Sequence, residues 1–385
     1  MTVLIDYTKG FFETTEGDTV GTVTGNATLD LSTGSVFSHT PTANTTFAFT
    51  NPAASGTSSS ATLKLTGANV AVGYDLASAS YDSVSLSISG QNQFPTGLFF
   101  KDDGTKVYML GQNTVYQYAL STAWDLSTAS YESKSFDSGT QTTFSEAVSF
   151  KSDGTIMYVT SRSTSTDAIY QYTLSTAWDV STASYASKFL DVASQELNPR
   201  AAYFKPDGSK VYVAGTSNDT IYQYALSTAW DVSTGSFETG KSFSVSSQEG
   251  SPNSLYFSPN GDKVWIIGTV NQTVYQYSLS TAWDISTASY DSVLFSVSSQ
   301  DTGPKELFFK SDGTKMYIVG DTNDAIYQYS TSSSALATIT YPASVIWSGG
   351  TTPTAPANGE TDVYSFYTDD GGTTYYGLVS GDALA

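Results

Sequence analysis

The stretch Tyr222-Gln-Tyr-Ala-Leu-Ser-Thr-Ala-Trp-Asp231 recurs with small changes through the middle of this 385-residue chain. Such self-similarity is typical of repeat architectures. The Tyr-Gln-Tyr string starts at Tyr116, Tyr170, Tyr222, Tyr275 and Tyr327. An Asp-Gly pair, once Asn-Gly, starts at Asp103, Asp153, Asp207, Asn260 and Asp312. Five units of similar length therefore cover 72–330, divided at about 74–123, 124–177, 178–229, 230–282 and 283–330.

Each unit is predicted to form four short strands, because aromatic and β-branched runs alternate with turn residues. One such set of four runs is Leu98–Phe100, Val107–Leu110, Val115–Leu120 and Tyr131–Phe136. The Asp-Gly pair predicts a hairpin turn, since glycine readily adopts a positive φ. Four strands repeated radially form a propeller blade, so five units predict a five-bladed β-propeller.

The hairpin Phe204-Lys-Pro-Asp-Gly-Ser-Lys-Val-Tyr-Val213 resembles the YVTN, lactonase-like propeller family. This resemblance covers one hairpin in each blade and implies the fold rather than an activity. The last blade lacks a fourth strand, and we expect Tyr81–Ile88 to supply it, which brings the two ends of the propeller together.

The flanks 1–71 and 331–385 are also rich in predicted strands and turns. Since an inserted domain needs ends that lie close together, we predict an all-β chain in which the propeller is inserted into a discontinuous, β-sandwich-like framework domain. The first flank contributes its first half and the second flank its second half.

Both flanks resemble a domain of tailed-phage tail-fibre and head-fibre proteins. The resemblance is carried by Thr28-Leu-Asp-Leu-Ser-Thr-Gly-Ser-Val-Phe37, by Tyr341-Pro-Ala-Ser-Val-Ile-Trp-Ser-Gly-Gly350 and by Asp362-Val-Tyr-Ser-Phe-Tyr-Thr-Asp-Asp-Gly-Gly372. It implies an extracellular virion appendage that contacts other virion proteins through the framework and is a homo-oligomer, often a trimer. It brings no catalytic residue.

Composition excludes several functions. A formal charge of −20 argues against nucleic acid or an anionic membrane as partner. The chain has no cysteine and one histidine, His39, which excludes thiol catalysis and multi-histidine metal sites. No apolar run is long enough for a membrane helix, and we expect neither a signal peptide nor membrane insertion.

The predicted strand order places the loops of the propeller at two ends. The anchor face carries the Asp-Gly hairpins and the Trp-Asp turns, where the chain also enters and leaves the propeller. The loop face carries the loops between blades, which differ most among the repeats: 92–95, 142–145, 196–199, 249–252 and 301–304. Binding residues concentrate in loops on rigid scaffolds, although loops also diverge where nothing selects them. The candidate ligand-binding residues are Phe94, Phe144, Arg162, Glu196, Arg200, Glu249, Asp301 and Lys305.

The anchor face hardly varies, which favours a structural role over the alternative of an aromatic sugar-binding platform. Its repeated residues are Trp124, Trp178, Trp230, Trp283, Gly104, Gly154, Gly208, Gly261 and Gly313. A glutamine recurs before each loop of the loop face, and we expect it to bond backbone groups near the channel: Gln91, Gln141, Gln195, Gln248 and Gln300. No cofactor is predicted; Asp321, Asn323 and Asp324 are weak Ca²⁺ candidates because they offer clustered oxygen ligands.

Together with the resemblance of the flanks to virion proteins, these observations predict a phage tail-fibre or tail-tip protein whose propeller binds a host-surface glycan or protein. One alternative is a capsid decoration or head-fibre protein. The second alternative is a polysaccharide-degrading enzyme, since Glu146, Glu196, Glu249 and Asp301 are carboxylates near the channel mouth. The near-identical repeats lack the irregularity of an active site, so the sequence predicts that the chain is not an enzyme.

Overall fold

A computed structural model describes residues 20–22, 27–162 and 166–384. The chain divides into two compact units, one formed by Met1–Val72 and Ser333–Ala385 and the other by Gly73–Ser332. Nearly all of the described secondary structure is β, as the sequence predicts. Within the described ranges, no helix is long and apolar enough to cross a membrane.

The strands follow in chain order. The first flank holds β1 (Val20–Thr22), β2 (Thr28–Asp30), β3 (Val36–His39), β4 (Thr45–Thr46), β5 (Ala48–Thr50), β6 (Ser59–Thr66) and β7 (Asn69–Val72). The propeller holds β8 (Ser80–Ser87), β9 (Pro95–Phe100), β10 (Lys106–Gly111), β11 (Thr114–Leu120), β12 (Ala129–Asp137), β13 (Phe144–Phe150), β14 (Ile156–Arg162), β15 (Ala168–Leu174), β16 (Ala183–Asp191), β17 (Pro199–Phe204), β18 (Lys210–Gly215), β19 (Thr220–Leu226), β20 (Gly235–Ser244), β21 (Pro252–Phe257), β22 (Lys263–Gly268), β23 (Thr273–Leu279), β24 (Ala288–Ser296), β25 (Pro304–Phe309), β26 (Lys315–Gly320) and β27 (Ala325–Ser330). The second flank holds β28 (Ser333–Leu336), β29 (Ile339–Thr340), β30 (Val345–Trp347), β31 (Thr361–Thr368) and β32 (Tyr375–Leu384). Single 3-10 turns lie at Leu76–Ser78, Leu126–Thr128, Val180–Thr182, Val232–Thr234 and Ile285–Thr287.

The propeller consists of five antiparallel four-stranded sheets, which confirms the predicted blades. Blades 1 to 4 are β9–β12, β13–β16, β17–β20 and β21–β24. Blade 5 joins β25–β27 to β8, with Tyr329 opposite Tyr81, so the start of the propeller supplies the missing strand. Because β8 completes the last sheet, the start and the end of the propeller are held together in one blade.

Apolar side chains fill the space between neighbouring blades. For example, Tyr108 and Leu110 of blade 1 pack in one buried cluster with Val148, Phe150 and Met157 of blade 2. A blade buries these side chains only against its neighbour, so the stability of each blade depends on the ring.

The repeated tryptophans pack on the glycines of the Asp-Gly hairpins. Trp230 has a φ of 66° and its ring covers Gly208, whose φ is 72°. A Cβ atom on Gly208 would lie 2.4 Å from that ring. The same pairs occur in blades 1, 2 and 4, and Tyr74 replaces tryptophan over Gly313 in blade 5. These contacts explain why glycine and an aromatic residue recur together.

The middle residue of Tyr-Gln-Tyr links blades. The side-chain oxygen of Gln117 accepts a hydrogen bond from the backbone of Val180 in the next blade at 3.0 Å. Gln171, Gln223 and Gln328 make the same bond to Val232, Ile285 and Leu126. In blade 4, Gln276 instead accepts from the indole of Trp265.

The glutamines before the loops were expected to bond backbone groups. Their side-chain oxygens instead accept hydrogen bonds from tyrosine hydroxyls. The Tyr118 hydroxyl donates to Gln91 at 2.9 Å. The other four glutamines accept from the corresponding tyrosines, Tyr172, Tyr224, Tyr277 and Tyr329. A buried hydroxyl needs such a partner, so these glutamines are part of the blades.

The flanking unit is built on one six-stranded mixed sheet with the order β1-β3-β6-β31-β32-β30. Its core includes Phe37, Leu63, Trp347, Tyr364 and Phe366, which are nearly inaccessible to solvent. Short ladders add to this unit: β2 with β5, β4 with β29, and β7 with β28. Both halves of the chain thus contribute to one core.

The innermost strands enclose an aromatic-lined channel with one buried acid. Phe308 lies 5.3 Å from both Phe99 and Tyr256, measured between ring centroids. Glu306 on the same strand is 7% exposed, and the hydroxyl of Ser254 donates a hydrogen bond to it. Burial raises the pKa of Glu306 well above its usual value, because the charged form is poorly solvated there.

We expect the substitution Gly208→Ala to lower the thermal midpoint of the protein. The methyl group meets the Trp230 ring and the positive φ is strained for alanine, a cost of about 1–3 kcal/mol. Gly250→Ala is the matched control, since a Cβ there has no neighbour within 4 Å. Equal midpoints for the two variants, measured by circular dichroism, would contradict the packing role of Gly208.

We also expect the stability of the protein to fall as pH rises above about 4.5, the ordinary glutamate value. The raised pKa of Glu306 means that the folded state holds a proton that the unfolded chain releases. This stabilisation is complete below the unfolded pKa and is lost as pH rises toward the folded pKa, by at most ~1.4 kcal/mol per pH unit.

The substitution Glu306→Gln should remove the contribution of Glu306 to this pH dependence while keeping a side chain of similar size. Denaturant unfolding at pH 4, 6 and 8 measures it: the two proteins should match at pH 4, and the variant should be increasingly the more stable at higher pH. A constant difference across this range would show that Glu306 does not titrate on unfolding.

Candidate functional site

A pocket of about 490 Å³ opens on the loop face of the propeller. It is bordered by the starts of β9 and β13 and by the end of β14, with contributions from blades 3 and 5. The residues that line it are Phe94, Pro95, Thr96, Gln112, Asn113, Thr143, Phe144, Ser145, Glu146, Arg162, Arg200, Lys305 and Asp321. Five of the eight sequence-predicted residues are therefore brought together here: Phe94, Phe144, Arg162, Arg200 and Lys305.

The centre of this pocket is an Arg–Glu–Arg cluster formed by Arg162, Glu146 and Arg200. The Nε atom of Arg162 bonds one carboxylate oxygen of Glu146, and Nη1 of Arg200 bonds the other at 2.8 Å. Glu146 is 6% exposed, whereas the side chains of Arg162 and Arg200 are 37% and 20% exposed. One carboxylate thus holds two guanidinium groups that still reach the pocket.

This cluster is distinctive in the sequence, because Arg162 and Arg200 are the only arginines of the chain. They come from different blades and meet on one carboxylate. Charge-assisted bonds of this kind are stronger than those between neutral groups. The sequence predicts Glu146 only as one carboxylate of an enzyme, although it lies two residues after the predicted ligand-binding residue Phe144.

Two phenylalanines flank the cluster. Phe94 is 59% exposed and Phe144 is 48% exposed. The guanidinium carbon of Arg162 lies 4.8 Å from the centroid of the Phe144 ring, a cation–π distance. The ring of Phe144 therefore helps to orient Arg162, and Phe94 offers apolar surface at the rim.

Lys305 and Asp321, both at the pocket edge of blade 5, form an ion pair at 2.8 Å. Asp321 therefore has a cationic partner, and its predicted neighbour Asn323 donates its side-chain amide to the backbone of Gln300. Among the residues that the structure describes, no group of three or more histidine, cysteine, aspartate or glutamate side chains is arranged to hold a metal ion.

The other predicted carboxylates, Glu196, Glu249 and Asp301, do not line this pocket. Their exposures are 0%, 0% and 2%. Each accepts hydrogen bonds from backbone N–H groups of the hairpin between the second and third strands of its blade, as Glu249 does from Val270 and Asn271 at 3.1 Å. They brace these hairpins.

Blades 1 and 2 lack this bracing acid, and the pocket lies beside them. The corresponding residues are Asn92 and Thr142. Asn92 accepts a hydrogen bond from the backbone of Phe94, while Thr142 bonds Ser145. The loop face is therefore asymmetric, unlike the anchor face.

Comparison with known families finds a match to a model described as Lactonase, 7-bladed beta-propeller, over residues 194–353. This span is less than half of the chain, and it covers blades of a propeller that has five rather than seven. It agrees with the lactonase-like hairpins noted in the sequence. It also contradicts the prediction that the chain is not an enzyme, because the matching family is named for a hydrolytic activity.

Solved structures with a similar fold include two provisionally assigned 6-phosphogluconolactonases. The protein from Bacteroides fragilis is 13% identical with a TM-score of 0.39, and the match covers 74% of this chain and 69% of that one. The protein from Bacteroides uniformis is 15% identical with a TM-score of 0.40, covering 75% and 86%. No curated protein sequence gives a significant match. The chain contains a five-bladed propeller, and residues 194–353 match the lactonase model.

Proposed function

We propose that the loop-face pocket of the propeller binds a sugar unit of a host-surface glycan. The observation that carries this proposal is the convergence of both arginines of the chain between two exposed phenylalanines. Sugars present hydroxyl groups at their edges and C–H groups on their faces. A pocket that combines charged donors with apolar ring surface complements both.

The size and position of the pocket support this proposal. Its volume of about 490 Å³ lies in the range of small-molecule sites. It is held by the starts of inner strands, which the ring keeps in place, so its polar groups are positioned before a ligand arrives. The pocket is also open at the loop face, where a longer glycan can extend away from the bound unit.

The setting that we propose is a tailed-phage appendage, in which the flanking unit contacts other virion proteins. It rests on the resemblance of the flanks to virion proteins and on one exposed apolar surface. Ile346, Tyr376 and Leu378 are 54%, 51% and 52% exposed and line a shallow pocket of the six-stranded sheet. Exposed apolar patches often mark contact surfaces. Attachment to the tail and attachment to the capsid both fit these observations.

Hydrolysis of a sugar lactone at the same pocket is the second candidate function, favoured by the match to the lactonase model. Glu146 would accept a proton from water as the water oxygen bonds to the carbonyl carbon. Arg162 or Arg200 would stabilise the negative charge on the carbonyl oxygen. The ring C–O bond then breaks, and the proton passes to the released alkoxide to give the open hydroxy acid.

For glycan binding, we expect the double substitution Phe94→Ala and Arg200→Ala to weaken adhesion by about tenfold or more. The change removes one ring and one cation from the pocket. Binding of labelled protein to host cells and to their extracted polysaccharide measures it. Leu197→Ala is the control, since Leu197 is 66% exposed on the same face outside the pocket. Unchanged adhesion by a folded double variant would remove this pocket from the proposal.

For hydrolysis, we expect δ-gluconolactone to open faster with the protein than in buffer, and Glu146→Gln to lower that rate about 100-fold or more. Acid release in a pH-stat measures the reaction. The exposed carboxylate of Glu360 provides the control variant, Glu360→Gln. If δ-gluconolactone opens no faster with the wild-type protein than in buffer alone, this lactone is excluded as a substrate.

For the virion setting, we expect antibody against the propeller to label intact phage particles in immunogold electron microscopy. Label at the tail would support the tail-fibre assignment, and label over the head would support decoration of the capsid. Particles without label would contradict the virion proposal and leave the pocket proposals to stand on their own tests.

A further inference from the structure

We infer that the sugar bound in the loop-face pocket carries a carboxylate, which the guanidinium of Arg200 recognises while Glu146 keeps both arginines in position. This inference rests on the proposed sugar-binding function and specifies the class of sugar. It commits to a carboxylated sugar, either as a residue of a polymer or as a free sugar acid.

The first observation is that the positive charges of the propeller are paired with carboxylates except for an excess in the pocket. The other lysines of the propeller pair with carboxylates of the Asp-Gly hairpins or of strand and turn residues: Lys101, Lys106, Lys134, Lys151, Lys188, Lys205, Lys210, Lys241, Lys263, Lys310 and Lys315. The pocket contains Arg162, Arg200 and Lys305 against Glu146 and Asp321. It therefore has one excess positive charge in a chain whose formal charge is −20.

The second observation is that one hydrogen-bond donor of Arg200 has no acceptor. Arg200 contacts Glu146 through Nη1, and its Nε is buried without a hydrogen-bond partner among the described residues. A buried charged donor without an acceptor is unfavourable, because it has lost its water and gained no partner. An acceptor oxygen on a ligand would satisfy it.

The third observation concerns the shape of the acceptor. The two oxygens of Glu146 already divide between Arg162 and Arg200. This arrangement leaves the outer edges of the guanidinium groups for a second carboxylate, since an arginine has five N–H donors in a planar fork. Because Glu146 is only 6% exposed, the ligand adds to the cluster and does not replace Glu146.

The test compares each acid with its closest uncharged counterpart by isothermal titration calorimetry. The three pairs are trigalacturonate and its methyl ester, sialyllactose and its methyl ester, and gluconate and glucitol. We expect at least one acid to bind tenfold or more tightly than its counterpart, the usual value of a hydrogen bond to a charged group. Preference for an oligosaccharide acid would indicate that the ligand is a polymer. Preference for gluconate would indicate that the ligand is a free sugar acid. Either result supports the inference.

Variants identify the group responsible. In Arg200→Gln, the acid and its neutral counterpart should bind with similar affinity. Arg200→Lys should also lose most of the preference for the acid, because lysine keeps the charge but lacks Nε. Lys205→Gln, which removes a cation from the same blade at the anchor face, should leave the preference unchanged. Full preference in Arg200→Lys would overturn the role of Nε. Equal affinities of acid and neutral sugar in the wild type would overturn the inference and leave sugar binding intact, whereas no binding of any sugar would overturn both.

Discussion

Closure of the ring depends on hydrogen bonds that blades 1, 2, 3 and 5 each make with the turn of the next blade. The Tyr108 hydroxyl donates to the backbone oxygen of Trp178 at 2.8 Å, and Gln117 accepts from Val180 in the same turn. Lys134 adds an ion pair with Asp179. These partners lie 45 to 70 residues apart in sequence, so the strands of one repeat and the turn of the next must both be kept. The constraint explains why the Tyr-Gln-Tyr and Trp-Asp strings barely change within this chain.

This constraint does not act at the opposite end of the blades, the loop face. The sequences of its loops can therefore differ from blade to blade. On the loop face, blades 3 to 5 use a buried acid to brace their own hairpins, as Glu196 does when it accepts from the backbone of Ser217 at 2.9 Å. That bond is internal to one blade, so its loss in blades 1 and 2 does not open the ring. The pocket lies beside those two blades, where the loops carry Phe94 and Phe144. A regular scaffold thus supports an irregular site.

The repeats predicted the fold well because their period, strand pattern and turn residues all indicate one architecture. The shared strand of blade 5 followed from counting strands. Side-chain partners were harder to predict. Glu196, Glu249 and Asp301 lie in variable loops, yet their carboxylates turn inward to backbone N–H groups. The pairing of Glu146 with Arg200 spans two blades, and sequence spacing alone does not show which way either side chain points.

Electrostatics distinguishes the pocket from the chain that contains it. The formal charge of −20 repels an acidic ligand at long range, and salt reduces that repulsion over about 10 Å at 0.1 M. Preference for a carboxylate must therefore come from short-range donors at the site itself. The same donors would stabilise an oxyanion if the pocket hydrolyses a lactone. Since the open product of that reaction is itself a sugar acid, the arrangement of Arg200 and Glu146 would suit both candidate functions. It would bind a sugar acid in the first and form one in the second.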